Sequence, residues 1–395
     1  MYYVFCIDTK YYIQDTRYYF MKILFTGGGT GGHFYPLIAV AEKINKIAEQ
    51  EKIIENDLFF ISNDPYDKVA LHEQGITFIE VPAGKMRLYF SFKNFIDIFK
   101  IIFGFFIALF KIFSIYPDVV FAKGGFGSLP TLLAARLLRI PVVIHESDSS
   151  PGRVNKWAGK FAKRIAVSFE EAGTYFPKEK VAWTGQPIRS ALMHTAHEGA
   201  FEYLKLEQGV PVILVLGGSQ GAQIINEALF ECLALLVPKY QILHQVGKDN
   251  LEDINIRKGV ILPNNPNENR YKPFGFLNPL AMRMAAGSAS IIISRAGSTI
   301  FEIASWGIPS IIIPISNSHD DHQRKNAYNY ARAGACVVIE ESNLTPHLLQ
   351  SEINRLLGSQ NKLKEMSENA IKFSRPDAAE KIAREIVNIA QEHEV

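Results

Sequence analysis

Residues Phe25 to Pro36 read FTGGGTGGHFYP, a run of glycines and threonines that closes on His33. Imidazole is the side chain best matched to taking up a proton near neutral pH, and glycine lets backbone amides come close to a ligand. Two more glycine-rich runs follow, KGGFGSLPT from Lys123 and GGSQGA from Gly217. Turns of this kind ahead of a helix seat phosphates, sugars and carboxylates. Further polar groups lie in ISRAGSTIFEIASWG, where Arg295, Gly297, Ser298 and Thr299 precede Glu302, and in HDDHQRKNA, with Asp321, His322, Gln323 and Asn326. A carboxylate such as Glu302 can grip vicinal hydroxyls, and amide side chains can read those of a sugar.

The first glycine run also fits the dinucleotide pattern G-x-G-x-x-G through Gly27, Gly29 and Gly32. That reading needs an acidic residue about twenty positions on, at the end of the second strand. The chain there reads EQEKIIEND, ahead of the strand LFFIS, and Asp64 after it comes late. A nicotinamide oxidoreductase is therefore disfavoured.

These residues need strands and helices to hold them. Short apolar runs alternate with helical patterns: KILFT, DLFFIS, TFIEV, DVVFA, PVVIHE and RIAVSF, then PVILVLGG, QILHQV, SIIIS and SIIIPI. Runs of Val and Ile without polar alternation suit parallel strands buried on both faces. Each half opens with strand, glycine turn and helix, at Leu24 and again at Leu214. The fold class is α/β, with two Rossmann-like, doubly wound parallel-sheet domains expected to face each other across a cleft. Gly and Pro in TGQPIRS, Thr184 to Ser190, mark the linker. The boundaries read as an extension over 1–20, a first domain over 21–186, a second over 187–372 and a closing helix over 373–395. The extension is tyrosine-rich and lacks a secretory pattern, and Met21, just ahead of the first strand, is the expected start of translation.

Composition narrows the function. Over 395 residues the net charge is only +2, which argues against a general nucleic-acid binder. Cys6, Cys232 and Cys336 are odd in number and outside metal-ligand spacing, which fits a reducing compartment. The segment Phe92 to Phe113, FKNFIDIFKIIFGFFIALFKIF, stands apart. On a helix, Lys93, Lys100 and Lys111 fall on one line with Asp97 and Gly104 beside them, and an apolar arc covers most of the remaining circumference. A core-facing stripe is narrower, so a membrane surface is the expected partner. A span is not expected, because about twenty apolar residues are needed to cross and the lysines interrupt the run.

The combination TGGGTGGHFYP, KGGFGSLP, HESDSSPGRVNKW, TGQPIR, GGSQGA, HQVGK, SRAGSTIFE and DHQRKNA, in this order from Met21 almost to the end, resembles the bacterial UDP-N-acetylglucosamine:undecaprenyl-pyrophosphoryl-muramyl-peptide N-acetylglucosaminyltransferases of peptidoglycan synthesis. The resemblance implies a GT-B fold and a peripheral enzyme on the cytoplasmic face of the cell membrane. It also implies an inverting transfer of N-acetylglucosamine from UDP-N-acetylglucosamine to the muramyl 4-hydroxyl of the undecaprenyl-linked muramyl-pentapeptide, lipid I. The C-terminal helix would cross back to the first domain. Leu277 would meet the uracil, Glu302 the ribose, and Ser219 and Arg189 the diphosphate, with Ser298 and Thr299 beside them. Gln323 would contact the transferred sugar together with Thr30, Gly31 and Gly32.

His33 and Glu146 are both candidates for the base; His33 could instead cap the first helix, and Glu146 could orient the acceptor. No Asp-x-Asp motif calls for a cation, and no cofactor or metal is implied. Asp148 stands in HESD where relatives often carry HEQN, and His322 replaces the first residue of a common Gln-Gln pair. Two other classes fit parts of the pattern: a diacylglycerol glycosyltransferase, which would share the apolar helix, and a UDP-sugar epimerase, which would need no lipid acceptor.

Overall fold

The computed structural model describes residues 20–53, 55–84, 92–218, 221–316 and 318–393. The extension before Phe20, with Cys6, and Ser219 lie outside the described residues. Strands β1 (Phe20–Thr26), β2 (Glu55–Ser62), β3 (Ile76–Glu80), β4 (Val119–Ala122), β5 (Val142–Glu146), β6 (Arg164–Val167) and β7 (Val181–Trp183) form one sheet in the order 3-2-1-4-5-6-7. Strands β8 (Val212–Leu216), β9 (Gln241–Gln245), β10 (Tyr271–Phe274), β11 (Ile291–Ser294), β12 (Ser310–Ile312) and β13 (Cys336–Val338) form a second in the order 10-9-8-11-12-13.

The helices are α1 (Gly31–Gln50), α2 (Lys68–Glu73), α3 (Phe92–Ile115), α4 (Leu129–Leu137), α5 (Arg153–Ala158), α6 (Ala200–Tyr203) and α7 (Gln223–Leu236), then α8 (Leu251–Ile261), α9 (Pro279–Ser288), α10 (Thr299–Trp306), α11 (His322–Arg332), α12 (Pro346–Leu357), α13 (Gln360–Phe373) and α14 (Ala378–His393).

Both sheets are wound outward from a central pair. β1 pairs in parallel with β2 on one side and β4 on the other, and β8 pairs likewise with β9 and β11. Strand order therefore reverses between β1 and β4 and between β8 and β11. Crevices at such reversals, outside the strand C-termini, are where doubly wound sheets bind ligands. All ten apolar runs of the sequence are strands; β7, β10 and β13 are additional.

The second sheet shows why those runs lack alternation. Ile213, Val215, Ile291, Ile293 and Ile311 pack into one core with α7 and α12, while Val212, Leu214, Leu216, Ile292 and Ile312 enter another with α9, α10 and α13. With both faces covered, each second residue is as buried as the first.

The chain divides into two compact units. One takes the described residues up to His145, with Trp157–Ile165 and the chain from Glu380; the other takes Glu146–Lys156 and Ala166–Ala379. Within the first, α14 is held by Lys163–Glu392 and Arg164–Glu385 ion pairs at 2.7 Å each, above a buried stripe of Ile382, Ile386, Val387 and Ile389.

On helix α3, Asp97 and Gly104, beside the line of the lysines, turn inward with Ala108 and Ile112. Gly104 lies so close to Pro82 that a Cβ there would collide with the Pro82 carbonyl, which fixes this face of the helix against the body. On the opposite arc Phe95, Phe99, Phe103, Phe106, Phe110 and Phe113 are each more than half exposed. The stretch Asp97–Ile115, with mean hydropathy 2.2, is long and apolar enough to cross a membrane by length and composition, so lysine spacing alone does not exclude a span. Its packing onto Pro82 and Pro130 ties it to the domain instead.

Replacement of Gly104 by alanine should therefore cost about 1–3 kcal/mol, because the backbone contact cannot open without strain. Phe110→Ser, at a ring 69% exposed, should leave thermal stability nearly unchanged. Melting curves of the two variants check this; equal effects would mean the helix packs by another face.

Candidate active site

In the first unit the turns after β1 and β4 meet at the strand reversal. Lys123 N–H donates to the Thr26 carbonyl at 2.9 Å, and a Cβ on Gly125 would press on the Gly28 carbonyl and on His33 Nδ1. Glycine at 125, with φ +79, is what allows that approach. Thr30 is the N-cap of α1, in extended conformation, and caps with its carbonyl, which accepts from His33 N–H and Phe34 N–H at 3.1 Å. Its hydroxyl makes no cap bond. Gly31, Gly32 and His33 form the first turn of the helix and are partly buried.

His33 Nδ1 lies 3.1 Å from the Gly28 carbonyl. A carbonyl can only accept, so Nδ1 carries the proton and the lone pair of a neutral ring falls on Nε2. That is the tautomer a base requires, with ring orientation set by backbone.

Beneath the turns sits a pair that sequence reasoning quoted without assigning. Lys123 Nζ and His145 Nδ1 are 2.5 Å apart, with the residues 1% and 0% exposed.

In the second unit the segment from Glu146 is a braced loop. The buried Glu146 carboxylate accepts from Asp148 N–H at 3.0 Å, Gly152 N–H at 3.1 Å and Asn155 Nδ2 at 2.8 Å. Asp148 accepts from Asn326 Nδ2 at 2.8 Å, while Asn326 Oδ1 accepts from both the N–H and the hydroxyl of Ser149 at 2.9 Å. Glu146 is thus tied to its own loop and Asp148 to α11, where Asn326, far along the chain, offers its charge a donor.

Two turns flank the β8/β11 reversal. Gly217 N–H donates to the Gln245 carbonyl at 3.2 Å, and Gly221 packs so tightly on the Val246 carbonyl that no Cβ fits. After β11, Ser298 precedes α10 without a side-chain cap, so the first N–H groups of that helix, from Thr299 on, have no capping side chain. Arg295 points away from this opening: it pairs with Glu341 at 2.6 Å, both side chains mostly buried, and donates to the Ile313 carbonyl. Glu341 in turn accepts from Ser316 N–H at 2.8 Å, so the pair anchors the turn after β12. Gln323 Oε1 accepts from Ile315 N–H at 3.2 Å, at the start of α11, where Asp320 and Asp321 hold left-handed backbone angles. Such strain in non-glycine residues gathers at functional sites. Leu277 N–H donates to Gln245 Oε1 at 3.2 Å, so a ligand would meet Leu277 through its carbonyl or displace the glutamine. Gln245 itself escaped the sequence reading; its place in HQVGK was the only signal.

Glu302, in the first turn of α10, is partly buried, and among the described residues nothing donates a hydrogen bond to its carboxyl. Burial pushes its pKa up to about 7, against the pull of the nearby Arg189 charge. A ligand offering two hydroxyl donors would relieve that deficit.

Two parallel sheets with glycine turns at their strand reversals define a nucleotide-binding α/β protein. The glycosyltransferase family 28 N-terminal domain matches residues 23–167, and the C-terminal domain of that family matches residues 212–382. A Treponema denticola protein named UDP-N-acetylglucosamine--N-acetylmuramyl-(pentapeptide) pyrophosphoryl-undecaprenol N-acetylglucosamine transferase is 34% identical over 344 residues, 82% of this chain and 85% of its own. The crystal structure of Acinetobacter baumannii MurG superposes with a TM-score of 0.71 at 26% identity, covering 93% of this chain and 99% of that one. A UDP-GlcNAc 2-epimerase from Neisseria meningitidis bound to UDP-GlcNAc shares the fold, with a TM-score of 0.66 at 16% identity over 93% of this chain and 100% of that one. The chain belongs to glycosyltransferase family 28, within the group of those N-acetylglucosamine transferases.

The raised pKa of Glu302 has a sign that can be tested. The folded chain keeps a proton that the unfolded chain, with its carboxyl near 4.5, has released. Without ligand, folding stability is therefore lost as pH rises from about 4.5 to about 7, by no more than about 3 kcal/mol, and levels off above. Glu302→Gln removes the proton dependence, so its melting temperature should exceed wild type at pH 8 and converge with it at pH 5. Parallel curves across that window would contradict the assignment.

Proposed function

We propose that this protein transfers N-acetylglucosamine from UDP-N-acetylglucosamine to the 4-hydroxyl of undecaprenyl-pyrophosphoryl-muramyl-pentapeptide, releasing UDP, in peptidoglycan synthesis. The observation that carries the chemistry is the His33 ring, held by the Gly28 carbonyl so that Nε2 bears the lone pair.

In this reading the acceptor hydroxyl gives its proton to His33 Nε2 while its oxygen bonds to the anomeric carbon. The bond from that carbon to the β-phosphate oxygen breaks, and configuration inverts in one displacement. Backbone amides at the start of α10, with Arg189 and the turn that begins at Gly217, meet the charge that develops on the leaving diphosphate. Ser219 belongs to the same set. The Glu302 carboxylate holds the ribose hydroxyls, the Leu277 loop meets the uracil, and Gln323 contacts the sugar. Glu146 and Asp148 serve by shaping the loop they brace rather than by touching a proton in flight. No step calls for a metal.

The exposed phenylalanines of α3, with Lys100 and Lys111 also exposed on that helix, suit reversible attachment to an anionic membrane surface. A lipid-linked acceptor then meets the enzyme in two dimensions, on the cytoplasmic face. An epimerase would have no use for such a helix.

The test is transfer of radiolabel from UDP-N-acetylglucosamine to a short-chain lipid I analogue. UDP should appear only when the muramyl lipid is present, and diacylglycerol should not replace it. Release of UDP without acceptor, or label in diacylglycerol, would overturn the reading. In the same assay His33→Ala should lower turnover about 10²–10⁴-fold while donor KM stays close to wild type; near-normal turnover would remove His33 as the base.

A further inference from the structure

We infer that Gln245 is a positioning residue that couples recognition of the nucleobase to recognition of the diphosphate, a role that rests on the donor assignment proposed above. Gln245 ends β9 and is 5% exposed. Its side-chain Nε2 donates to the Gly218 carbonyl at 3.3 Å, and its Oε1 accepts from Leu277 N–H at 3.2 Å. Its backbone carbonyl takes the Gly217 N–H at 3.2 Å. One buried residue therefore joins the turn assigned to the diphosphate and the loop assigned to the base, which lie far apart in sequence.

The chemistry of the two contacts dictates the side chain. The Gly218 carbonyl can only accept and the Leu277 N–H can only donate, so the residue between them must do both at once. A primary amide does so with its two ends, and the partners fix which end faces which. Leucine can do neither, and an ionised glutamate can only accept. The next residue reinforces the joint: the Val246 carbonyl accepts from Asn250 Nδ2 at 2.8 Å and supports Gly221, where no Cβ fits. A shift of the glycine turn pulls the amide, and the amide moves the Leu277 loop.

Titration calorimetry of the full chain with UDP, UMP and CDP tests this in wild type, Gln245→Leu and Gln245→Glu. With the link intact, the preference for UDP over CDP and the gain of UDP over UMP should both be large. Gln245→Leu should weaken UDP roughly 10–100-fold, as expected for losing buried hydrogen bonds, and should shrink both preferences together. Gln245→Glu, above the pKa of its carboxyl, keeps an acceptor for Leu277 and loses the donor to Gly218. It should retain the preference for uracil and lose the gain from the second phosphate. Should the leucine variant fail to fold, the glutamate variant carries the test through that split. Wild-type affinities in both variants, or a common loss for all three ligands with the preferences unchanged, would overturn the proposal and leave a purely structural glutamine. A wild-type protein that does not prefer UDP would instead remove the donor assignment, and the coupling with it.

Discussion

A single backbone carbonyl decides what the first unit can do. Gly28 accepts from His33 Nδ1, and everything proposed for the imidazole follows from the direction of that bond. A ring without this partner could present either nitrogen; with it, the lone pair has one place to be. The carbonyl is held in turn by Gly125, whose bare backbone stands where any side chain would push it aside. The glycines of the opening motif and of the turn after β4 thus act as one device. They bring two turns into contact at a strand reversal and leave the histidine at a helix start with its tautomer set.

The second unit applies a similar rule by different means. Several residues with a catalytic look are braces. Arg295 is committed to Glu341, Glu146 to three donors, and Asp148 with Ser149 to Asn326. Removing one partner of such an arrangement strands a buried polar or charged group, which costs far more than the bond itself contributes. The loop after β5 and the turn after β12 are therefore held by side chains. Glu302 is the exception: among the described residues no donor satisfies its partly buried carboxyl, which burial raises in pKa. It is the group in this unit whose environment would improve when a ligand arrives.

The strand framework was legible because buried parallel strands leave unbroken runs of Val and Ile, and because glycine turns punctuate them. Strands β7, β10 and β13 carried no such mark: VAW, YKPF and CVV are too short, or too polar at one face, to stand out. The candidate site was legible where chemistry is local, as in TGGGTGGH and in the run from Ser298 to Glu302. It was not legible where partners meet across the chain. Nothing near Asp148 in sequence announces Asn326, and nothing near Gln245 announces Leu277. On α3, Gly104 and Asp97, beside the lysine line, face Pro82 and Gly84, a contact that periodicity alone does not reveal.

The most direct test of the account is the tautomer of His33 in the folded protein. Nitrogen NMR of the chain with labelled histidine, the His33 signals assigned by their loss in His33→Gln, reports which ring nitrogen carries the proton above the imidazole pKa. The bond to Gly28 requires a protonated Nδ1 and an unprotonated Nε2. A His33 ring protonated at Nε2 in the neutral state would contradict the account, because the nitrogen meant to receive the acceptor's proton would already hold one.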